Sequence, residues 1–356
     1  MAKKPNSFLR ELIKDIGDVD THLADEGMHS SEFSGFIDTG SYAFNALLSG
    51  SLFGGVPNNK ITAIAGESAT GKTFFALGMV RKFLEDHAEA GVIYYDTEAA
   101  VTKQMMLDRG IDTKRVIISE QTTVQSFRTH VMRTLERLLE IPQSERPPMM
   151  MVLDSFGMLS TEKEVGDIKE GKDTRDMTRA QLIRGTFRAI SLRMAKANVP
   201  MIITNHTYDV VGAYVPTKKM SGGGGLQYAA SQIIFLSKKK DRDGDKEVIG
   251  NIITCKTDKS RFTKENKRID VRLSYDTGLD RYYGLLDLAE KYGVVTKVAN
   301  KYEFPNGEKA FEKKVYEQPE RYFTDEVMHK LEEFAAKEFR YGKGEEPSDD
   351  TVETEE

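Results

Sequence analysis

At 356 residues the chain is long enough to bury a large core, in one big domain with smaller attachments. A single cysteine, Cys255, excludes an intramolecular disulfide and any multi-cysteine zinc site and is expected to serve packing; the lack of a run of about eighteen apolar residues, and of an apolar signal core in MAKKPNSFLREL, predicts a soluble cytoplasmic protein without a membrane partner. The net charge of −5 argues against a polyanionic partner only superficially, because residues 343–356 alone carry seven acidic side chains and one lysine, which leaves the rest of the chain slightly basic.

Residues 1–35 are a polar lead with one amphipathic helical stretch, NSFLRELIKDIGD, that puts Phe8, Leu9, Leu12, Ile13 and Ile16 along one face. So short a helix must bury that stripe, in cis or on a neighbouring subunit. From 36 to 278 apolar runs (ITAIA, VIYYD, RVIIS, MMMVLD, PMIITN, QIIFLS, NIITCK) alternate, in the earlier part, with helical stretches. That pattern predicts an α/β core with a mainly parallel sheet covered by helices on both faces, and ligands at the carboxyl ends of the strands.

The first such end carries GESATGKT, residues 66–73, which matches G-x-x-x-x-G-K-S/T between a strand and a helix. Gly66 and Gly71 let the backbone wrap so that the N–H groups of Glu67, Ser68, Ala69, Thr70 and their neighbours face one anion at a helix N-terminus. Lys72 is expected to reach the β- and γ-phosphates of ATP and Thr73 to hold Mg²⁺, with Phe74 beginning the helix. At the next strand end period-2 alternation is expected to send Asp96 and Glu98 to one side. MMMVLDS closes on Asp154 and Ser155; Asp154 is expected in the Mg²⁺ shell and Glu98 at the attacking water. PMIITNHTY ends on Asn205 and His206, a polar pair suited to sensing the γ-phosphate.

Two loops follow these strand ends. The charged stretch 160–179 ends in Arg179. The longer one, 207–225, reads as an unstructured loop with tyrosines, lysines and four consecutive glycines, a composition suited to stacking and gripping single-stranded nucleic acid. Residues 279–342 read as a small α+β region of two helical segments around a hairpin or loop, and 343–356 as an acidic, disordered tail.

Together with IDTGSYAFNALL, YYDTEAAVTKQMMLDRGID, LDSFGML, DMTRAQLIRGTFR, IITNHTY, SGGGGLQYAAS and CKTDKSR followed by DTGLDRYYGLLDLAEKYG, these motifs cover about residues 36–295 in the order of a RecA-type DNA recombinase. The chain resembles that family, and within it the UvsX recombinases of T-even-like phages. The resemblance implies an ATP- and Mg²⁺-dependent helical filament on single-stranded DNA that pairs it with homologous duplex and exchanges strands, with single-strand-binding and loading proteins as partners, in host-cell cytoplasm if phage-encoded. It implies that both loops line the DNA channel, which makes Arg179, His206, Tyr208, Tyr214, Lys218, Lys219, Gly222, Gly223, Gly224 and Gly225 the DNA-facing residues. It implies that ATP lies between subunits, with Lys256, Lys259 and Arg261 in the segment that completes the neighbour's site, and that Phe8, Leu9 and Leu12 dock on the adjacent protomer. Met105 stands where cellular relatives stack a tyrosine on adenine and Thr102 where they carry an aspartate, whereas Tyr275 matches a position near the base. The competing readings are a hexameric helicase motor built on the same core and a nucleotide-gated structural filament that makes no use of DNA.

Overall fold

The computed structural model describes residues 7–18, 21–24, 35–172, 176–209, 218–243 and 247–342; the acidic tail and Tyr214 lie outside the described residues. In chain order the strands are β1 Phe36–Ile37, β2 Val56–Pro57, β3 Ile61–Gly66, β4 Gly91–Asp96, β5 Val116–Ser119, β6 Met149–Asp154, β7 Met201–Asp209 and β8 Lys218–Met220. They continue as β9 Gln232–Asp243, β10 Glu247–Ser260, β11 Arg268–Ser274, β12 Gly278–Leu279, β13 Thr296–Val298, β14 Lys301–Glu303 and β15 Lys309–Phe311. All seven apolar runs form strands of one large sheet, ordered β12-β11-β10-β9-β3-β7-β6-β4-β5, with β8 added to β7.

Alternation along these strands divides the interior in two. Ile64, Val92, Tyr94, Val152, Ile202 and Ile234 face one core, with the helices Tyr42–Ser49 and Lys72–Asp86. Ala63, Ile93, Tyr95, Leu153, Ile203 and Ile233 face the other, with the helices Val124–Leu139 and Arg179–Ala197. Burial on both faces is why these strands read as continuous apolar runs. Cys255 is fully buried in the first core, where burial pushes its thiol pKa up, in keeping with a packing role. The C-terminal elements join that core through Leu285, Val315, Leu331 and Phe339, beside the three-stranded sheet β13-β14-β15.

The strands β9-β3-β7-β6-β4-β5 are mutually parallel, so Gly66 of β3 lies beside His206 of β7, and Asp96 of β4 beside Asp154 of β6. The motif-bearing strand ends therefore share one edge of the sheet. Beyond them β9 and β10 form a long antiparallel pair that overhangs this edge.

Of the expected unstructured loop 207–225, the described residues 207–209, 218–220 and 224–225 carry regular structure. Strand β7 runs on to Asp209, β8 returns antiparallel to it with Tyr208 opposite Lys219, and a short helix spans Gly224–Ala229. Two of its glycines are required by packing: a Cβ on Gly222, at φ +82°, would strike the Phe156 ring, and one on Gly225 would come within 2.6 Å of Ile183.

Candidate functional site

The phosphate loop sits at the end of β3 as its sequence demands. Gly71 takes φ +90° immediately before the helix Lys72–Asp86, a conformation that a side chain would strain, and a Cβ there would lie 2.6 Å from Leu273. Lys72 is buried and its ammonium group donates to the carbonyls of Gly66 (3.1 Å) and Glu67 (2.9 Å). Burial holds its pKa below the ordinary lysine value, against the pull of Asp154 and Glu98.

Asp154 is heavily bonded within the site. Thr73 Oγ1 and Tyr94 OH both donate to its Oδ2 at 2.7 Å, and Thr204 Oγ1 donates to its Oδ1. Three hydroxyls from three elements thus fix one carboxylate, and burial together with Asp154 pushes the Tyr94 phenol well above its usual pKa. The hydroxyl of Thr73 and the carboxylate of Asp154 are adjacent hard oxygen donors, the kind that suits a magnesium ion sharing its shell with phosphate and water.

Strand β4 stops at Asp96, so Asp96 and Glu98 do not alternate along a strand as expected. Asp96 is buried and accepts from the backbone N–H groups of Glu98, Ala100 and Val101, which folds the following turn. That turn delivers Glu98 to the site. Its Oε1 accepts from Ser155 Oγ at 2.6 Å and meets His206 Nε2 at 2.9 Å. Burial works to raise the Glu98 pKa, but the bonds from Ser155 and His206, with the charges of His206 and Lys72, outweigh it and hold the carboxylate below its ordinary range.

Asn205 connects this cluster to the glycine segment. It is fully buried; its Oδ1 accepts from its neighbour His206 N (2.9 Å) and from Ser221 Oγ (2.5 Å), while its Nδ2 donates to the Ser221 carbonyl (2.9 Å). His206 is thereby linked, through Asn205 and Ser221, to the turn that begins Gly222–Gly225. Lys218 does not stand free either, because it pairs with Glu67 of the phosphate loop.

A cavity of about 560 Å³ is lined by Ser68, Ala69, Gly71, Lys72, Thr73, Phe74, Glu98, Asp154, His206 and Tyr275, and also by Lys238, Lys240, Asn251 and Leu273. A neighbouring cavity of about 490 Å³ shares Phe74, Leu273 and Tyr275 and adds Arg109, Asp276 and Thr277. The Arg109 guanidinium lies 4.2 Å from the Phe74 ring centre. Met105 packs against the first core and Thr102 caps the helix Lys103–Leu107, so both are occupied structurally. Lys238, Lys240, Asn251 and Arg109 were missed from the sequence. The triple lysine 238–240 was the available signal, since period 2 sends its first and third members to one face.

Lys256, Lys259 and Arg261 are not lining residues of this cavity. Strand β10 runs antiparallel, so Lys259 lies opposite Ile233 and Ser260 opposite Gln232, which itself pairs with Thr62 near the start of β3, away from the phosphate loop. Lys259 donates to the carbonyls of Gln227 (2.7 Å) and Tyr228 (3.2 Å), and Lys256 joins Lys218, Asp258 and Arg268 around a second hollow of about 380 Å³.

Arg179 is engaged in a clamp: it pairs with Glu164 at 2.6 Å and donates to the Leu159 carbonyl at 2.6 Å. The helix it opens contains no acidic residue, and Arg184 and Arg188 stand exposed beside Tyr228, which is 75% exposed. These three were also missed, because their common surface depends on how the helices Arg179–Ala197 and Gly224–Ala229 pack. Tyr208 and Lys219 are exposed at the β7-β8 hairpin. Of the N-terminal stripe, Phe8, Leu9, Leu12 and Ile16 are exposed.

The profile of the RecA N-terminal domain family matches residues 10–280. The chain belongs to the RecA family. Relatives include the "Recombination and repair protein" of Enterobacteria phage T4, 32% identical over 256 residues, which span 72% of this chain and 63% of that protein. "Protein RecA" of Chloroherpeton thalassium is 26% identical over 276 residues (76% of this chain, 72% of the relative), and "Protein RecA" of Thermotoga maritima 27% over 271 residues (75% and 71%). The aligned region thus spans less than two thirds of the phage relative. Membership of the RecA family identifies the matched region as a P-loop nucleotide-binding core. Among the described residues no helix is long and apolar enough to cross a membrane.

Proposed function

We propose that this RecA-family chain is an ATP-dependent DNA recombinase that forms a helical filament on single-stranded DNA and pairs it with homologous duplex in the host-cell cytoplasm. The observation that carries the reading is the hydrogen-bonded path from Glu98 through His206 and Asn205 to Ser221. It joins the residue best placed to orient a water at the phosphate to the segment that leads into Gly222–Gly225. Such a path lets nucleotide state bias the loop, which is what a DNA grip gated by ATP requires.

In this mechanism the loop N–H groups and Lys72 bind the phosphate chain, while Phe74, Arg109 and Tyr275 border the space for the base. Thr73 and Asp154 would hold Mg²⁺, which when bound supplies charge neutralisation across the β- and γ-phosphates. Glu98, kept ionised by Ser155 and His206, orients water and accepts its proton. Lys256, Lys259 and Arg261, which do not line their own subunit's cavity, would act on a neighbouring subunit's nucleotide. The exposed Phe8, Leu9 and Leu12 support docking of the N-terminal helix on another copy, since covering each such half-exposed side chain contributes about 1 kcal/mol. The edge strand β5, with Ile117 and Ile118 exposed, offers an apolar surface of the matching kind.

The test is joint-molecule formation between circular single-stranded DNA and homologous linear duplex with ATP and Mg²⁺, comparing the unaltered chain with Lys72→Ala. Homology-dependent product from the unaltered chain alone is expected. Tight ATP-dependent binding of single strands with no joint molecules, and closed rings by electron microscopy, would replace the recombinase with a helicase motor; ATP turnover indifferent to single-stranded DNA would point to a structural filament.

A further inference from the structure

We propose that Lys238 and Lys240 form a second cationic wall of the nucleotide cavity and bind the phosphate chain from within the same subunit, an inference that rests on the nucleotide-binding reading above. Strand β9 flanks the phosphate-loop strand β3 on the side away from β7, with Leu236 beside Gly66. Two residues further along, β9 overhangs the loop. Alternation then places Lys238 and Lys240 on the cavity side and sends Lys239 to the opposite side, where it pairs with Asp270 at 3.1 Å.

Lys238 Nζ donates to the Ala69 carbonyl at 2.7 Å, and Lys240 stands opposite Asn251 of β10, which lines the same cavity. Among the described residues neither ammonium group forms an ion pair; the nearby carboxylate of Glu67, which the charge of Lys238 helps to keep ionised, is paired with Lys218. With Lys72 they bring three positive charges to one hollow, whose two carboxylates are engaged: Asp154 by three hydroxyls and Glu98 by Ser155 and His206. The positive charge of Lys238 is close enough to disfavour the Lys72 ammonium. Three mutually repelling cations around a cavity of this kind are matched by a polyanion.

The sheet order says which part of the ligand they meet. Tyr275 follows β11, and Glu98 follows β4; between them the sheet edge runs over β10, β9, β3, β7 and β6. A nucleotide with its base by Tyr275 and its terminal phosphate by Glu98 passes its inner phosphates over β9. Lys238 and Lys240 therefore contribute to binding diphosphate and triphosphate alike, in contrast to a group that senses the terminal phosphate.

Equilibrium binding of fluorescently labelled ADP and of an ATP analogue resistant to hydrolysis, each with Mg²⁺, tests this in the full-length chain. Lys238→Ala with Lys240→Ala is expected to weaken both ligands about tenfold, and Lys240→Ala alone, which leaves the bond to Ala69 intact, about threefold. Both side chains are exposed, so the fold should survive, and circular dichroism checks it. If the unaltered chain binds both ligands and the double variant binds them equally well, the inference is wrong while the nucleotide site stands. If the unaltered chain binds neither, the site reading fails and takes the inference with it. Unchanged nucleotide affinity with weakened DNA binding would also overturn it, and would assign the two lysines to nucleic acid.

Discussion

The rim formed by the ends of β3, β4, β6 and β7 and the basic face around Arg184, Arg188 and Tyr228 both carry charge, but they carry it in opposite ways. At the rim Asp154, Asp96, Glu98 and Lys72 each have two or three fixed hydrogen-bond partners. On the basic face Arg184 and Arg188 project from a helix without acidic residues, and among the described residues neither has a carboxylate partner. Fixed dipoles suit a reaction whose charge develops at one place, because no reorganisation is then needed at the moment of reaction. Loose cations beside an exposed ring suit a flexible polyanion whose bases must stack without regard to sequence. The difference supports the proposed assignment of chemistry to the first region and of DNA grip to the second.

The largest expected effect separates the two. Glu98→Gln keeps the shape of the side chain and its contact with Ser155 but removes the proposed base, so ATP turnover should fall by about 10² or more. ATP-dependent binding of single-stranded DNA should persist, because Lys72, Asp154 and the basic face are untouched. Steady-state hydrolysis and filter binding on the same preparation measure both. Loss of turnover together with loss of DNA binding would mean that Glu98 holds the site's structure instead of acting on water.

The second prediction concerns the loose region. Replacing Arg184 and Arg188 with Ala should weaken single-strand binding for all sequences alike, and should reduce the slope of log affinity against log salt by about 1.4 for two lost phosphate contacts. Nucleotide affinity should stay within about twofold, since neither residue lines the nucleotide cavity. An unchanged salt slope would remove this face from the DNA path.

The two regions were not equally legible in the sequence. A phosphate loop declares itself because its glycines, lysine and threonine must be consecutive, and Asp154 because it ends an apolar run. The hydroxyls of Tyr94 and Thr204 were hidden inside apolar runs, since their aim at Asp154 depends on how β4, β6 and β7 line up. Glu98 was found at a strand end, yet the expected alternation with Asp96 fails because the strand stops two residues short of Glu98 and Asp96 turns the chain. In the loose region Arg179 attracted attention by its place in the charged loop and is bound to Glu164, whereas Arg184 and Arg188, unremarkable in sequence, are the exposed pair. The run 207–225 looked structureless because the hairpin β7-β8 is too short to leave a periodic pattern.

Asp176 ties the charged segment after β6 to the start of the basic helix and gives the smallest expected effect. It sits just before the basic helix, and its carboxylate accepts from Thr161 Oγ1 (2.7 Å), Thr178 Oγ1 (2.7 Å) and Thr178 N (2.8 Å). These bonds, with a weaker contribution from Lys163, lower its pKa from 3.8 to about 2. A folded pKa below the unfolded one means that the carboxylate stabilises the native state fully above pH 3.8, and that this contribution is lost as the pH falls through about 2. Asp176→Asn removes the charge at every pH and should cost about 1 kcal/mol near neutrality. Urea unfolding of both chains should therefore show a gap in stability that is constant down to about pH 4 and closes towards pH 2. A gap that persisted unchanged to pH 2 would mean that the loss comes from misplaced amide geometry, and that the charge of Asp176 does not hold the start of the basic helix. Closure of the gap with DNA affinity preserved at neutral pH would assign Asp176 to stability alone; loss of DNA affinity in the asparagine variant would make this carboxylate the anchor that sets the basic face in register.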